Sequence, residues 1–306
     1  MKKRLDAMLI ILAGILWGAT GVFVRYFASI GFGSLQIVAL RVTFTAVLML
    51  IVVLIYDRKL LKIRLKDSWC FLGTGICGIM LFNFFYFKTI SLTSLSVSAV
   101  LLYTSPVMVM IMSIFIFKEK ITKNKLIACV MALIGCILVT EVITKKQEVS
   151  LLSIITGLLA ALGYSLYSIF SRIAYKRGYH PLTIVLYTFI ITSVGTLAIT
   201  DMSIVDKFLN LNLNSIIMFV LMGIIISVLP YTFFTMGLKR IEASSASIMA
   251  SIEPVVATII GVIFLKESMC FMSALGVLLV IASIVILNLK NGKEVYEIDN
   301  QPVIDN

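Results

Sequence analysis

Charge is scarce in this sequence: of 306 residues, 26 are Lys or Arg, 15 are Asp or Glu and one is His. Prolines number five and tryptophans two. The single histidine, His180, has no partner at metal-ligand spacing, and the five cysteines, Cys70, Cys77, Cys129, Cys136 and Cys270, form no C-x-x-C pair. They read as buried free thiols, with neither a disulfide framework nor a metal site supported. No glycine-rich phosphate loop ends in Lys-Ser or Lys-Thr, which removes direct ATP drive. No paired carboxylates and no His with Ser or Asp partners form a usable constellation, so an intramembrane enzyme is disfavoured. The sequence predicts no metal and no cofactor.

What is abundant is apolar surface. Hydrophobic residues make up 60% of the chain and charged ones 13%, more than one water-soluble core can hide, so a bilayer must act as solvent. Ten apolar stretches of roughly 20 residues, each enough to cross about 30 Å of hydrocarbon, predict ten transmembrane helices. They run Ala7 to Val24, Leu35 to Ile55, Cys70 to Phe87, Leu95 to Phe117, Asn124 to Ile143, Leu151 to Phe170, Leu182 to Ile199, Ser215 to Met236, Ala243 to Leu265 and Cys270 to Leu289. The start, Met1-Lys2-Lys3-Arg4 before an apolar run, has signal-peptide character, but it lacks a small-x-small cleavage site and carries Trp17-Gly18, so it reads as the first span.

The net charge of +11 could suggest nucleic acid. Its distribution argues otherwise. With the N-terminus inside, nineteen basic residues fall on inner segments and six, Arg25, Lys88, Lys145, Lys146, Lys207 and Lys266, on outer ones. This positive-inside split predicts a multi-pass protein of the cell inner (plasma) membrane with both termini cytoplasmic, lipid and a small-molecule substrate as partners, and no nucleic acid. The sequence does not specify an oligomeric state.

The chain repeats itself. Leu102-Tyr103-Thr104-Ser105-Pro106-Val107 leads to Lys118-Glu119, and Ala250-Ser251-Ile252-Glu253-Pro254-Val255 leads to Lys266-Glu267, at a constant offset of 148. At an offset of 147, Phe23, Arg25, Gly31 and Leu35 fall on Phe170, Arg172, Gly178 and Leu182. Five spans per half is an odd number, so the second half enters the membrane from the opposite side. Inverted repeats of this kind are a transporter plan. The halves are expected at 1–145 and 150–290, with a polar cytoplasmic tail at 291–306. A non-transporting receptor or assembly factor is the competing reading, and ten spans without a soluble domain suit it less.

These half-repeats, with Leu16-Trp17-Gly18 in the first span, Leu40-Arg41 in the second, small-residue starts at Ser94 to Ala99 and Ala243 to Ser247, the mid-span prolines, and closing Phe117-Lys118-Glu119 and Leu265-Lys266-Glu267, resemble two EamA domains of the drug/metabolite transporter superfamily. The resemblance covers about residues 7 to 289. Ile252-Glu253-Pro254 matches the apolar-Glu-Pro pattern of the family's second half, whereas the first half has Ser105 before its proline. The resemblance implies an all-α, ten-helix transporter, often an exporter of amino acids or related amphiphilic metabolites.

A proline within a helix leaves the carbonyl four residues earlier without its donor. Pro106 is therefore expected to free the carbonyl of Leu102 and Pro254 that of Ala250, placing irregular backbone at matching depth in the two halves and marking a midplane binding site. Glu253, about 15 Å by helical rise from the inner end, costs several kcal/mol at the bilayer centre unless neutral, paired or facing water. It is expected to face the bundle interior, where it either couples transport to protons, holds a cationic substrate group, or is simply a protonated Glu bonded to loosened backbone. Arg41, roughly 9 Å from the outer end of its span, either snorkels outward and fixes packing or contacts an anionic substrate group. Trp17, Asn83, Tyr103, Tyr164 and Tyr231 are candidate substrate contacts, with Trp17 aligned to Tyr164 and Asn83 to Tyr231 across the halves; Tyr167 lies at the same depth. Each could equally be a packing aromatic. Gly14-x-x-x-Gly18 reads as a helix-packing face.

Overall fold

The computed structural model describes residues 2–142, 149–266 and 269–289. Every regular element among them is helical. Among the described residues, nine helices are long and apolar enough to cross a membrane: α1 (Lys3–Ser29), α2 (Ser34–Tyr56), α3 (Leu65–Leu92), α4 (Leu95–Phe117), α6 (Leu151–Lys176), α7 (Pro181–Ile199), α8 (Leu213–Gly237), α9 (Ala243–Phe264) and α10 (Phe271–Asn288). Between α4 and α6 runs α5 (Lys123–Val139), whose 17 residues extend about 25 Å. It packs along α10, where a Cβ added at Gly276 would stand 2.6 Å from the Gly135 carbonyl oxygen. The expected fifth span ran to Ile143. The helix instead stops at Val139, and Glu141 turns back through a left-handed conformation at φ 54°. Lys145, Lys146, Glu267 and the tail at 291–306 lie outside the described residues.

Ile55, Phe115, Ile263, Phe264 and Phe271 are exposed on the outside of the bundle, where lipid is the matching solvent. The interior is built around rings. Tyr231 packs edge-on against Phe189, Trp17 and Tyr167 at centroid distances of 4.9, 5.1 and 5.2 Å.

The two inverted halves repeat in backbone detail. Gly31 and Gly178, 147 residues apart, both adopt positive φ, at 92° and 89°. At each, the next amide reaches back five residues, from Phe32 to the Phe27 carbonyl and from Tyr179 to the Ala174 carbonyl, closing the helix in the same way. Lys118 and Lys266 both sit at φ 55°, a conformation that costs a side chain-bearing residue roughly 1–2 kcal/mol. The third helix of each half contains a π-helical stretch, Gly73–Met80 in α3 and Ile224–Val228 in α8. Such matched irregularities do not arise from shared hydrophobicity. This is an all-α membrane protein of two inverted repeats.

Candidate functional site

The site is set by two interrupted helices. Proline has no N–H and its ring collides with the preceding turn, but it is tolerated in the first turn of a helix. Accordingly, α4 stops at Leu102 and restarts at Ser105, with Pro106 in the new first turn, and α9 stops at Ala250 and restarts at Glu253, with Pro254 in the same place. The helices end at the two residues whose carbonyls lose their donors. The result is a two-residue interruption, at 103–104 and 251–252, within helices whose backbone stays right-handed on both sides.

The breaks face each other. Leu102, Tyr103, Ser105 and Pro106 from α4 meet Ser247, Ala250, Ser251 and Glu253 from α9, with Tyr164 of α6 closing the side, around a chamber of about 10 Å³. That is room for about one water. Anything larger enters only when the walls part. Tyr86 and Cys136 also lie within the electrostatic reach of Glu253. The Ser247 hydroxyl is buried without a protein partner among the described residues, as is the indole N–H of Trp17.

Glycines bring α1 against the break in α9. A Cβ at Gly14 would lie 2.5 Å from Ile252 Cγ2, and one at Gly18 would lie 2.9 Å from the Glu253 carbonyl oxygen. The Gly14-x-x-x-Gly18 face therefore seats the break. In the other half, Ala161 and Ser165 occupy the equivalent positions of α6, and the Ser165 hydroxyl shares its one proton between the Ala161 carbonyl of its own helix at 2.7 Å and the Ser105 carbonyl at 3.1 Å.

Most of the residues expected at the site come together. Trp17 meets its repeat partner Tyr164 at 6.2 Å between centroids and Tyr231 at 5.1 Å; Tyr103, Tyr164, Pro106 and Glu253 line the chamber. Arg41 is 8% exposed and does not snorkel outward. Its Nη2 donates to Asn83 Oδ1 at 3.3 Å, and its charge acts on the Tyr231 hydroxyl. Asn83 Nδ2 is held in turn by the Ile79 carbonyl at 2.7 Å. Arg41 and Asn83 thus flank the chamber behind Tyr231 rather than line it. Tyr167 shares its hydroxyl with Thr235 at 3.0 Å and serves the core.

Sequence reasoning placed Ser105, Ser247 and Ser251 in the repeat motifs but did not name them as site residues, since serine is common in packed membrane helices. It also left Glu119 without a partner. The Ala243 amide donates to Glu119 Oε1 at 3.2 Å, the Ser244 hydroxyl donates to Oε2 at 2.5 Å, and Arg172 Nη1 stands 3.4 Å from Oε1. A carboxylate of the first half therefore caps the α9 N-terminus of the second. Lys125 pairs with Glu242 beside it, and Arg240 Nη1 with Asp6 Oδ2 at 2.9 Å. These pairs tie the halves together at the end of the bundle that holds the N-terminus.

Broken helices meeting at mid-depth from inverted halves are transporter architecture, and the class of the chain is a multi-pass membrane transporter. The chain belongs to the EamA-like transporter family, whose profile matches residues 5–141 and 151–289. It is 30% identical to the "Uncharacterized transporter YyaM" of Bacillus subtilis (strain 168) over 271 residues, 85% of this chain and 86% of that one. It is 26% identical to an "Uncharacterized transporter" of Archaeoglobus fulgidus over 287 residues, 90% and 94% of the two chains. A solved crystal structure superposes with a TM-score of 0.75 at 17% identity, covering 93% of this chain and 97% of that one, a likeness of fold.

Proposed function

We propose that this transporter exports small zwitterionic amphiphiles of the amino-acid type, in exchange for protons, by alternating access around the chamber at Glu253. The observation that carries this reading is a pair of groups of opposite charge, the buried Arg41 and the half-buried Glu253, on either side of one aromatic wall. Tyr231 lies in the fields of both Glu253 and Arg41. Arg41 is the eighth residue of α2 and Glu253 the eleventh of α9, so helical rise places both within about 5 Å of mid-depth. Once the walls part and Tyr231 moves aside, a substrate ammonium pairs with Glu253, its carboxylate reaches the Arg41–Asn83 pair, and an apolar side chain packs on Trp17 and Tyr164. The Ser247 hydroxyl and Trp17 N–H are the free donors that fix its orientation.

Glu253 serves both ligands in turn. It receives a proton when substrate leaves and gives it up when the substrate ammonium arrives, so the two fluxes run in opposite directions. The end tied by Glu119, Arg172 and Lys125 is the cytoplasmic one in this reading, with both termini inside. Opening it means withdrawing Glu119 from the α9 N-terminus. The outward direction is the one the family resemblance implies.

Purified protein in liposomes, screened over amino acids, polyamines and choline-like cations with and without a pH gradient, tests the proposal. A zwitterion whose flux accelerates with the gradient in wild type, but not in Glu253→Gln, is the expected result. Gradient-driven flux unchanged in Glu253→Gln overturns proton exchange at this residue. Preference for cations lacking a carboxylate removes Arg41 from the site.

A further inference from the structure

A second cavity, about 420 Å³, opens at the basic end of the bundle, between the loop after α2 and the turn joining α6 to α7. Lys59, Lys62, Arg64, Arg177 and His180 line it, with Leu60 and Ile63 as apolar wall. Two features separate it from an ordinary positive-inside loop. The first is that its arginines are pinned. Asp67, fully buried, receives Arg64 Nε at 2.8 Å, the Tyr179 hydroxyl at 2.8 Å and the Arg177 guanidinium. Arg64 Nη2 donates to the Arg177 carbonyl at 3.3 Å, and Arg177 lies over the Trp69 ring. Both guanidinium groups still reach solvent, with side chains 55% and 40% exposed.

The second feature is uncompensated charge. Against Lys59, Lys62, Arg64 and Arg177 stand, among the described residues, Asp67, used in holding the arginines, and Asp57, whose carboxylate accepts from the Lys59 amide at 2.9 Å. Lys239 adds to the field at His180. Planar guanidinium forks beside flexible ammonium groups are the donor set that recognises phosphate. The rim is apolar and aromatic. Leu65, Ile55, Tyr56 and Trp69 are exposed around it, and the Tyr56 ring stacks on His180 at 6.2 Å, an interfacial arrangement of side chains.

The geometry points to a binding site for the phosphate headgroup of an anionic membrane lipid in this cavity, lined by Lys59, Lys62, Arg64 and Arg177. The acyl chains would run over the apolar rim into the bilayer while the phosphate sits among the cations. The site is separate from the midplane chamber and independent of which substrate crosses there.

The test is native mass spectrometry of the full chain released from bilayers of equal parts phosphatidylglycerol and phosphatidylcholine. The double variant Lys59→Gln/Lys62→Gln removes two exposed cations and leaves the Asp67 network whole. Lys118→Gln/Lys123→Gln removes the same charge from exposed positions at the same end and controls for general attraction. Wild type and the control should retain phosphatidylglycerol selectively. The Lys59/Lys62 variant should lose about 25-fold in retention, roughly fivefold per lysine. Equal loss in both variants, or no lipid preference in wild type, overturns the lipid site. A parallel arm with inorganic phosphate separates the sources. Phosphate that raises the melting temperature of wild type but not of the Lys59/Lys62 variant, with no lipid preference, assigns the cavity to a soluble phosphate and overturns the lipid.

Discussion

The interrupted helices α4 and α9 have one backbone and two chemistries. Both stop four residues before a proline, restart with that proline in the first turn, and end at a lysine with φ 55°. Yet α4 places Ser105 where α9 places Glu253. The carbonyl of Ser105 is bonded by Ser165, whereas that of Glu253 is pressed against Gly18. Ser94 caps its own helix through the Val97 amide at 3.2 Å, whereas the start of α9 is capped from the other half by Glu119. Duplication preserved the hinge, and the halves then diverged in what each hinge carries. Each break is seated against the first helix of the other half, Ser105 on Ser165 and Glu253 on Gly18, but the second half alone carries the ionisable group and takes its cap from across the repeat.

The largest effect expected from this asymmetry is on flux. Glu253→Gln should reduce gradient-driven transport about 100-fold, equivalent to roughly 2.7 kcal/mol, while Ser105→Ala at the matching position stays within a few-fold. Equal losses in liposome assays would mean that the hinge, rather than the carboxyl group, limits transport. Next comes the capping difference. Glu119→Ala leaves Arg172 with the Ile241 carbonyl at 2.7 Å but no carboxylate, its Nε being without a protein partner among the described residues, and should cost about 3 kcal/mol as a broken buried pair. Ser94→Ala should cost about 1 kcal/mol, the worth of an N-cap. Thermal melting in detergent ranks the two. Because Glu119 bridges the halves, its loss should also speed thiol labelling of a cysteine introduced at Ser247, which loss of Ser94 should not.

Much of this was legible in the sequence, and the illegible part has a pattern. Spans, repeat and hinge positions follow from residues acting locally: apolar runs of membrane length, Pro106 and Pro254 at one offset, Gly31 and Gly178 at another. Glu253 was legible because an ionisable group at mid-depth has so few permitted surroundings. Arg41 was not, since its direction is chosen by Asn83 on a different helix; from α2 alone an outward turn was equally good. Glu119 gave only its symmetry, because its partners, Ala243, Ser244 and Arg172, belong to the other half. Likewise Gly14 and Gly18 announced close packing without saying that the α9 break was what they packed against.

Two smaller tests sharpen the same comparison. Gly18→Ala puts a methyl group 2.9 Å from the Glu253 carbonyl and 2.7 Å from Val256 Cβ, and since backbone cannot yield as a side chain tip can, the cost should be about 2 kcal/mol. Ser165→Ala in the other half removes one hydrogen bond, about 1 kcal/mol. Thermal melting of the pair checks the order, and a harmless Gly18→Ala would show that the α9 break has slack.

The smallest effect concerns the caps that open α2 and α7, Gly33 and His180, again 147 residues apart. His180 Nδ1 accepts the Leu182 amide at 3.3 Å, which requires an unprotonated nitrogen. Burial, and then the Lys239 charge, hold the imidazole below its ordinary value of 6.5. The sign follows from that depression. The unfolded chain takes up the proton first, so the cap's contribution is complete above about pH 6.5 and is lost as pH falls through the lower value of the folded state. Asp57 opposes the shift in part, so the slope should be shallow. His180→Asn keeps a capping acceptor without a titrating nitrogen and should flatten the melting temperature between pH 6.5 and 5 relative to wild type. Parallel curves for the two proteins would place the pH dependence elsewhere and leave His180 as constant a cap as the glycine that stands in its place in the first half.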